Sequence, residues 1–337
     1  METPAMPALV KRSHRPRDVA VVERSRPVPA AGELLVRTEA NGLCGSDVHA
    51  WKQDAGYEWL PDSVVLGHEA VGVVDGLGDG VEESWLGRRV VPISIDGCGE
   101  CAVCRTAPHL CPRRDVVGLS FDGAAAAWFT IAAGRVVAVP DDVPVRALVL
   151  TEPLAIAAHA VDQLRMPADG RPCDIVVTGP GPIGIMAAML LHGQGHRVTL
   201  VGIARDQPVR LAIASELGLR TSLGEDLPDS PPCWLETSGA EEALAQAVGR
   251  VAMAGTVVVL AMFSRPPVVD VNIVTRRELT LLGSYGATRK DYELAVDTLR
   301  RDPGRWARLA TPFALGQGVE ALRAVEEGAV VKAVLVP

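Results

Sequence analysis

The chain has 337 residues, room for two domains of ordinary size and for a core that needs no disulfides. Hydrophobic residues at 48% and charged residues at 22% exclude disordered, collagen-like and disulfide-scaffold classes. Thirty-three basic against forty-one acidic side chains leave a net charge of −8 with no offsetting run of Lys and Arg, which argues against a nucleic-acid or anionic-membrane partner.

Met1 to Asp18 alternates Pro, Arg and His instead of forming an apolar signal core, and no stretch of membrane-spanning length is free of Gly, Pro and charge; a cytoplasmic protein is expected. Up to about residue 150, short Val-rich runs are broken by Gly and Pro: Ala8–Val10, Leu34–Glu39, Ala70–Asp75, Arg88–Pro92, Trp128–Ile131 and Val136–Val139. This texture predicts a partly closed β-barrel or sandwich. From Asp174 the pattern becomes strand, tight turn, helix: Asp174–Thr178 is a buried-strand run leading into Gly-rich sequence and the apolar stretch Ile183–Leu191. Strand-like Arg197–Gly202, Cys233–Glu236 and Thr256–Ala261 alternate with helix-like Pro208–Leu217 and Ala240–Ala252, predicting a doubly wound sheet of four parallel strands by about residue 285. The tail holds two helices, Tyr292–Arg300 and Gly316–Glu326, and a closing strand, Lys332–Val336, that suits the N-terminal region better than the central sheet. The first domain is therefore expected to be discontinuous.

Gly179-Pro180-Gly181-Pro182-Ile183-Gly184 is a GxGxxG between a predicted strand and a predicted helix, the context in which the motif signifies dinucleotide binding instead of an ordinary turn. Gly179 permits the turn, Gly181 lets backbone amides approach a pyrophosphate, Gly184 allows helix and strand to pack, and Pro182 sits where its missing donor costs least. At the end of the next strand, where an acidic residue would hold a ribose diol, stands Gly202, followed by Ile203, Ala204, Arg205 and Asp206. Room plus a cation at Arg205 favours NADP over NAD, although Asp206 is also placed to bind a diol.

Seven cysteines are present, and Cys98, Cys101, Cys104 and Cys111 crowd into fourteen residues, a density that reads as metal ligation in a reducing compartment. Their last gap, of six residues, is too long for a ferredoxin-type run. Three further segments carry metal-ligand residue types: Gly42-Leu43-Cys44-Gly45-Ser46-Asp47-Val48-His49, Gly67-His68-Glu69 and Thr151-Glu152-Pro153-Leu154-Ala155. Together with the GxGxxG and the cysteine cluster, these resemble the zinc-containing medium-chain alcohol and polyol dehydrogenase family, in the family's order and over essentially the whole chain.

The resemblance implies a GroES-like, partly open β-barrel catalytic domain (residues 1–149 with 288–337) and a Rossmann doubly wound parallel sheet (residues 150–287). It implies a catalytic zinc held by Cys44 and His68, with Glu152 completing the site directly or through water, as in the polyol and threonine branch. Glu69 is cast as an outer carboxylate or exchanging ligand, because neighbours on an extended segment point opposite ways. The four clustered cysteines imply a structural zinc, on a loop one residue shorter than usual for the family. Ser46 and His49 match the family's proton relay, and Asp47 buttresses the loop. Segments Glu236–Gly239 and Leu282–Gly286 end strands of the sheet, which puts Ser238 and Ser284 among the expected nicotinamide contacts, with Ile183 on the phosphate side. The aromatic stretch Trp51–Trp59 offers stacking faces and hydrogen bonds to a hydroxylated or aminated ring. The reaction expected is hydride transfer between a small-molecule alcohol or ketone of polyol, cyclitol or amino-sugar type and NAD(P), in a homodimer or homotetramer. The competing reading is a non-catalytic nicotinamide-binding sensor or structural protein of the same fold.

Overall fold

In the computed structural model, which describes residues 4–337, the chain divides into two compact units. One runs to Ala155 and resumes over Gly286–Pro337; the other is Ile156–Tyr285.

The Val-rich runs of the first unit pair into sheets. Its largest sheet takes the order Val136–Ala138, Arg89–Pro92, Glu69–Leu77, Glu33–Gly42, Lys332–Val336 and Ala310–Ala314, with Trp128–Ala132 also on Glu33–Gly42. A smaller sheet joins Val19–Ser25, Ala5–Lys11 and Val64–Val65, and a ribbon joins Ile95–Asp96 to Asp115–Val116. Two register shifts, at Leu35/Val36 and Thr38/Ala40, bend the long central pair, as closure of a barrel-like sheet requires. Leu9, Leu43, Trp51, Leu66 and Leu335 fill one core of this unit, and Leu34, Val36, Val90, Phe129 and Ile131 fill another.

Register fixes what the far end of Glu33–Gly42 meets. Gly42 lies opposite Glu69 on one side and opposite Val334 of the last strand on the other. The final strand is thus inserted beside the segment that leads to Cys44.

In the second unit six parallel strands run in the order Arg220–Ser222, Arg197–Val201, Asp174–Thr178, Cys233–Glu236, Thr256–Val259 and Thr280–Gly283. Chain order reverses on either side of Asp174–Thr178, the switch point at which open α/β sheets bind ligands. Six strands stand where the alternating pattern predicts four and Leu282–Gly286 marks the end of one more. Arg220–Ser222 is a three-residue polar strand, and Thr280–Gly283 is an edge strand whose Leu281 is exposed, so neither carries a buried apolar run. The predicted helix Pro208–Leu217 is present as a helical stretch, but it is not α-helical throughout. A 3₁₀ turn Ala204–Asp206 and a π turn Gln207–Leu211 precede a short α-helix Ala212–Glu216, the wide turn falling where Pro208 has no N–H to give. Among the described residues no helix is long and apolar enough to cross a membrane.

Candidate active site

Cys44 is the N-cap of the helix Gly45–Lys52. Its N–H donates to the Asp47 carboxylate at 2.8 Å, which fixes the thiol at the helix start. Gly67, at φ +96°, turns the chain just before His68, and a Cβ there would sit 2.6 Å from the Asn41 side chain, so only glycine fits. As a result, ligand atoms of Cys44, His68 and Glu69 lie within 4.8 Å of one another. This corrects the expectation that adjacency turns His68 and Glu69 apart. His68 precedes the strand that Glu69 begins, so strict alternation does not apply to the pair.

Buried charged groups stand beside two of the donors. Lys332 Nζ donates to both oxygens of Glu69, at 2.6 and 2.7 Å, and to Leu43 O at 3.1 Å, using all three of its protons. Asp47 Oδ1 accepts the Gly67 N–H at 3.3 Å and brings its charge to 3.8 Å from His68 Nδ1, an atom with no hydrogen-bond partner among the described residues. Ser46 Oγ is 3.3 Å from His68 Nε2. Burial disfavours a cation at His68, yet Asp47, Cys44 and Glu152 hold its pKa well above the ordinary imidazole range. For Lys332, burial is likewise outweighed, chiefly by Glu69 and Cys44, and its pKa is raised.

Glu152 stands outside the converging trio. It is buried in the same unit, and Ser94 Oγ donates to its Oε1 at 2.7 Å. Burial, with the neighbouring Glu69 charge, pushes its carboxyl up to about 7.

His49 lies on the same helix as Ser46, one turn along. Its Nδ1 is 2.7 Å from Asp54 Oδ2, and Tyr57 stacks on its ring at 5.6 Å between centroids. Gln53 closes the helix in the left-handed conformation, φ 57°, and so folds Asp54 back toward His49. The aromatic stretch therefore splits. Trp51 is in the core with Arg17 over its ring, Tyr57 braces His49, and Trp59 is 53% exposed.

The four clustered cysteines also converge, with Sγ atoms separated by 3.4, 3.6, 3.7 and 3.8 Å along the contacting pairs. A tetrahedral zinc with Zn–S of about 2.3 Å has sulfur–sulfur edges of about 3.8 Å, so the shortened loop still brings four thiols, all within 4.8 Å of one another, to a spacing that suits one zinc ion. A Cβ on Gly97 would meet Cys104 Sγ at 2.5 Å, and Arg113 donates to Cys98 Sγ at 3.1 Å. Backbone amides of Glu100 and Cys101 pull the Cys98 thiol down to about 6, toward the thiolate a metal needs.

In the second unit, Gly181 is the N-cap of the helix Pro182–Gly193, with Pro182 and then Ile183 in its first turn. Gly179 has φ +96°, and a Cβ on Gly184 would fall 2.0 Å from Gly179 O. Around Gly181 nothing lies within 4 Å of a Cβ position, leaving first-turn amides open to an anion. Asp206 is buried and committed. It accepts the Ile203 N–H at 3.1 Å and pairs with Arg210 at 3.5 Å, while Arg205 is exposed and Gly202 buried. Ser238 is tied to Glu236 through its N–H at 2.7 Å and through its hydroxyl. Ser284 Oγ is buried with no partner among the described residues, a polar atom suited to an added ligand.

Sequence reasoning missed Lys332, Ser94, Tyr292 and Asp54. The signal available was a lysine inside the apolar run Val330-Val331-Lys332-Ala333-Val334, since a buried cation needs an anion.

The family model for the alcohol dehydrogenase GroES-like domain matches residues 30–141, and that for the glucose dehydrogenase C-terminus matches residues 145–334. The chain is 29% identical to a sorbitol dehydrogenase of Halalkalibacterium halodurans, over 98% of this chain and 99% of that one. It is 33% identical to an L-threonine 3-dehydrogenase of Chelativorans sp., over 84% and 85% of the two chains. Among solved structures, an alcohol dehydrogenase (rspB) from Escherichia coli CFT073 complexed with NADH superposes with a TM-score of 0.86 at 26% identity, covering 99% of each chain. These matches run through both units, and the chain belongs to the zinc-containing medium-chain dehydrogenase family, on its polyol dehydrogenase-like side.

Proposed function

We propose that the chain transfers a hydride between a secondary alcohol of a polyol, cyclitol or amino-sugar-like substrate and NAD(P). The observation that carries this reading is the meeting of Cys44, His68 and Glu69 within 4.8 Å, a thiolate, imidazole and carboxylate set that suits zinc. A zinc ion there would supply the charge that eases loss of the alcohol proton, with a nicotinamide as hydride acceptor.

The protein's own groups do the rest. Cys44 and His68 would hold the ion, with Glu69 and Glu152 as the carboxylates beside it. Asp47 places its charge beside the imidazole, and Lys332 holds Glu69 in place. Ser46 and His49, a helical turn apart, would carry the proton outward. With Nδ1 donating to Asp54, Nε2 of His49 is left as the accepting atom. Residues 1–149 with 288–337 would form the catalytic domain and residues 150–287 the dinucleotide-binding domain. Gly179, Gly181 and Gly184 would seat the pyrophosphate, with Ser238 and Ser284 toward the nicotinamide.

Two details support the finer choices. Asp206 is occupied within its own turn and Arg205 is free to meet an anion, which favours NADP. Glu152, in place of a cysteine, and relatives named sorbitol and L-threonine dehydrogenases favour a hydroxyl-rich or amino-alcohol substrate. Four reduced thiols at the structural site suit the cytoplasm. The open edge strand Thr280–Gly283, with Leu281 exposed, suits pairing with a second copy, and a twofold mass in light scattering would check it.

The test is metal analysis of the purified protein together with a panel of polyols, cyclitols and amino sugars read by nicotinamide absorbance with both cofactors. About two zinc ions per chain and turnover that Cys44→Ser abolishes are expected. A protein that binds nicotinamide but turns over nothing, and keeps only the metal of the thiolate cluster, would favour the sensor reading instead.

A further inference from the structure

Two hydroxyls stand behind Glu152 that the scheme above does not use. Tyr292, on the helix Arg289–Arg301, has its OH 3.0 Å from Ser94 Oγ and accepts the Ser94 N–H at 2.9 Å. Ser94 Oγ in turn donates to Glu152 Oε1 at 2.7 Å. Tyr292, Ser94 and Glu152 are 1%, 2% and 6% exposed, so water does not compete for these bonds.

With Glu152 ionised, the direction of this chain is fixed. Glu152 Oε1 accepts, so the single Ser94 hydroxyl proton goes to it. Ser94 Oγ must then accept from Tyr292, whose oxygen keeps a lone pair for the Ser94 N–H. Ser94 itself cannot drift. Its carbonyl accepts from Arg135 at 3.0 Å and from the Val117 N–H at 2.9 Å, and Arg135 also holds Ile93 O at 3.0 Å. A serine pinned at its N–H, its carbonyl and its hydroxyl presents one fixed donor to one fixed oxygen.

We propose that Tyr292 and Ser94 are positioning residues for the catalytic metal, committing Oε1 of Glu152 to a donor and leaving Oε2 as the oxygen offered to the ion or to a hydroxyl beside it. The proposal rests on the reading of Cys44 and His68 as metal ligands. Its consequence is that a tyrosine oxygen contributed by the returning C-terminal segment, 198 residues from Ser94, tunes the metal site without touching it.

The test uses the full-length protein loaded with zinc or with Co²⁺ as a spectroscopic probe. Tyr292→Phe removes one oxygen and keeps the ring; Ser94→Ala breaks the link to Glu152 while leaving the tyrosine in place; Ser94→Thr restores a hydroxyl. Chelator competition should show catalytic-site zinc held about tenfold less tightly in Tyr292→Phe and Ser94→Ala, with metal at the four-cysteine site unchanged. The Co²⁺ absorption bands should shift in the same two variants, and Ser94→Thr should recover the parent spectrum. A change of melting temperature alone, with parental zinc affinity and Co²⁺ bands in both variants, would overturn the proposal and leave the metal-site reading standing. A parent protein that takes up metal only at the four cysteines would overturn both.

Discussion

Lys332→Met is the sharpest perturbation of the site. The ammonium is 2% exposed and its partner Glu69 1% exposed, with N–O distances of 2.6 and 2.7 Å and a third bond to Leu43 O at 3.1 Å. Methionine fills the space of the stem but leaves Glu69 as an unpaired buried anion or forces it to take up a proton. Stranding one partner of a buried pair costs about 3–5 kcal/mol, and that is the loss expected for metal-free protein at neutral pH. The companion Glu69→Gln/Lys332→Met removes both charges and should recover much of it. Because a Glu69 oxygen lies within 4.8 Å of the Cys44 and His68 ligand atoms, zinc can stand in for the ammonium, and the deficit should shrink when zinc is present. Denaturant unfolding of the parent, both single variants and the double variant, with and without zinc, measures every term of the cycle. A loss below about 1 kcal/mol in the metal-free single variant, the worth of an exposed pair, would refute the reasoning.

Three further outcomes are expected. Asp54→Asn should lower kcat for alcohol oxidation about tenfold with substrate KM nearly unchanged, and should add nothing to His49→Ala; steady-state kinetics of the single and double variants decide it. Arg205→Ala should raise the Kd for NADP more than that for NAD in fluorescence titrations, and an equal effect on both would remove the cofactor preference. Gly97→Ala places a Cβ 2.5 Å from Cys104 Sγ, so elemental analysis should find one metal lost per chain while the Cys44 site keeps its own.

What the sequence disclosed and what it hid have separate physical origins. The turn at Gly179–Gly184 was legible because its constraints are local: a buried strand before it, a helix after it, and glycines at φ +96° or in close packing. Cys44, His68 and the four-cysteine loop were readable through motifs of a few residues. Lys332 and Tyr292 were not, because their partners Glu69 and Ser94 lie 263 and 198 residues away and only the sheet register and helix docking bring them together. For Glu69 only the alternation argument fails: the strand starts at Glu69, and alternation holds only inside strands. The edge strand Arg220–Ser222 escaped because a half-buried strand carries no continuous apolar run, and Thr280–Gly283 was marked only at its end, by Leu282–Gly286.

The insertion of the last strand beside Glu33–Gly42 has a consequence for biosynthesis. At ribosomal rates of about 5–20 residues per second, Lys332 is made roughly 13–53 s after Glu69, which it follows by 263 residues. Throughout that interval a nascent chain carries its thiols and an uncompensated carboxylate with no finished sheet around them. Closure of the Lys332–Glu69 pair is therefore among the last steps of folding, and a chain without Lys332 should leave the Glu69 carboxylate without its buried partner.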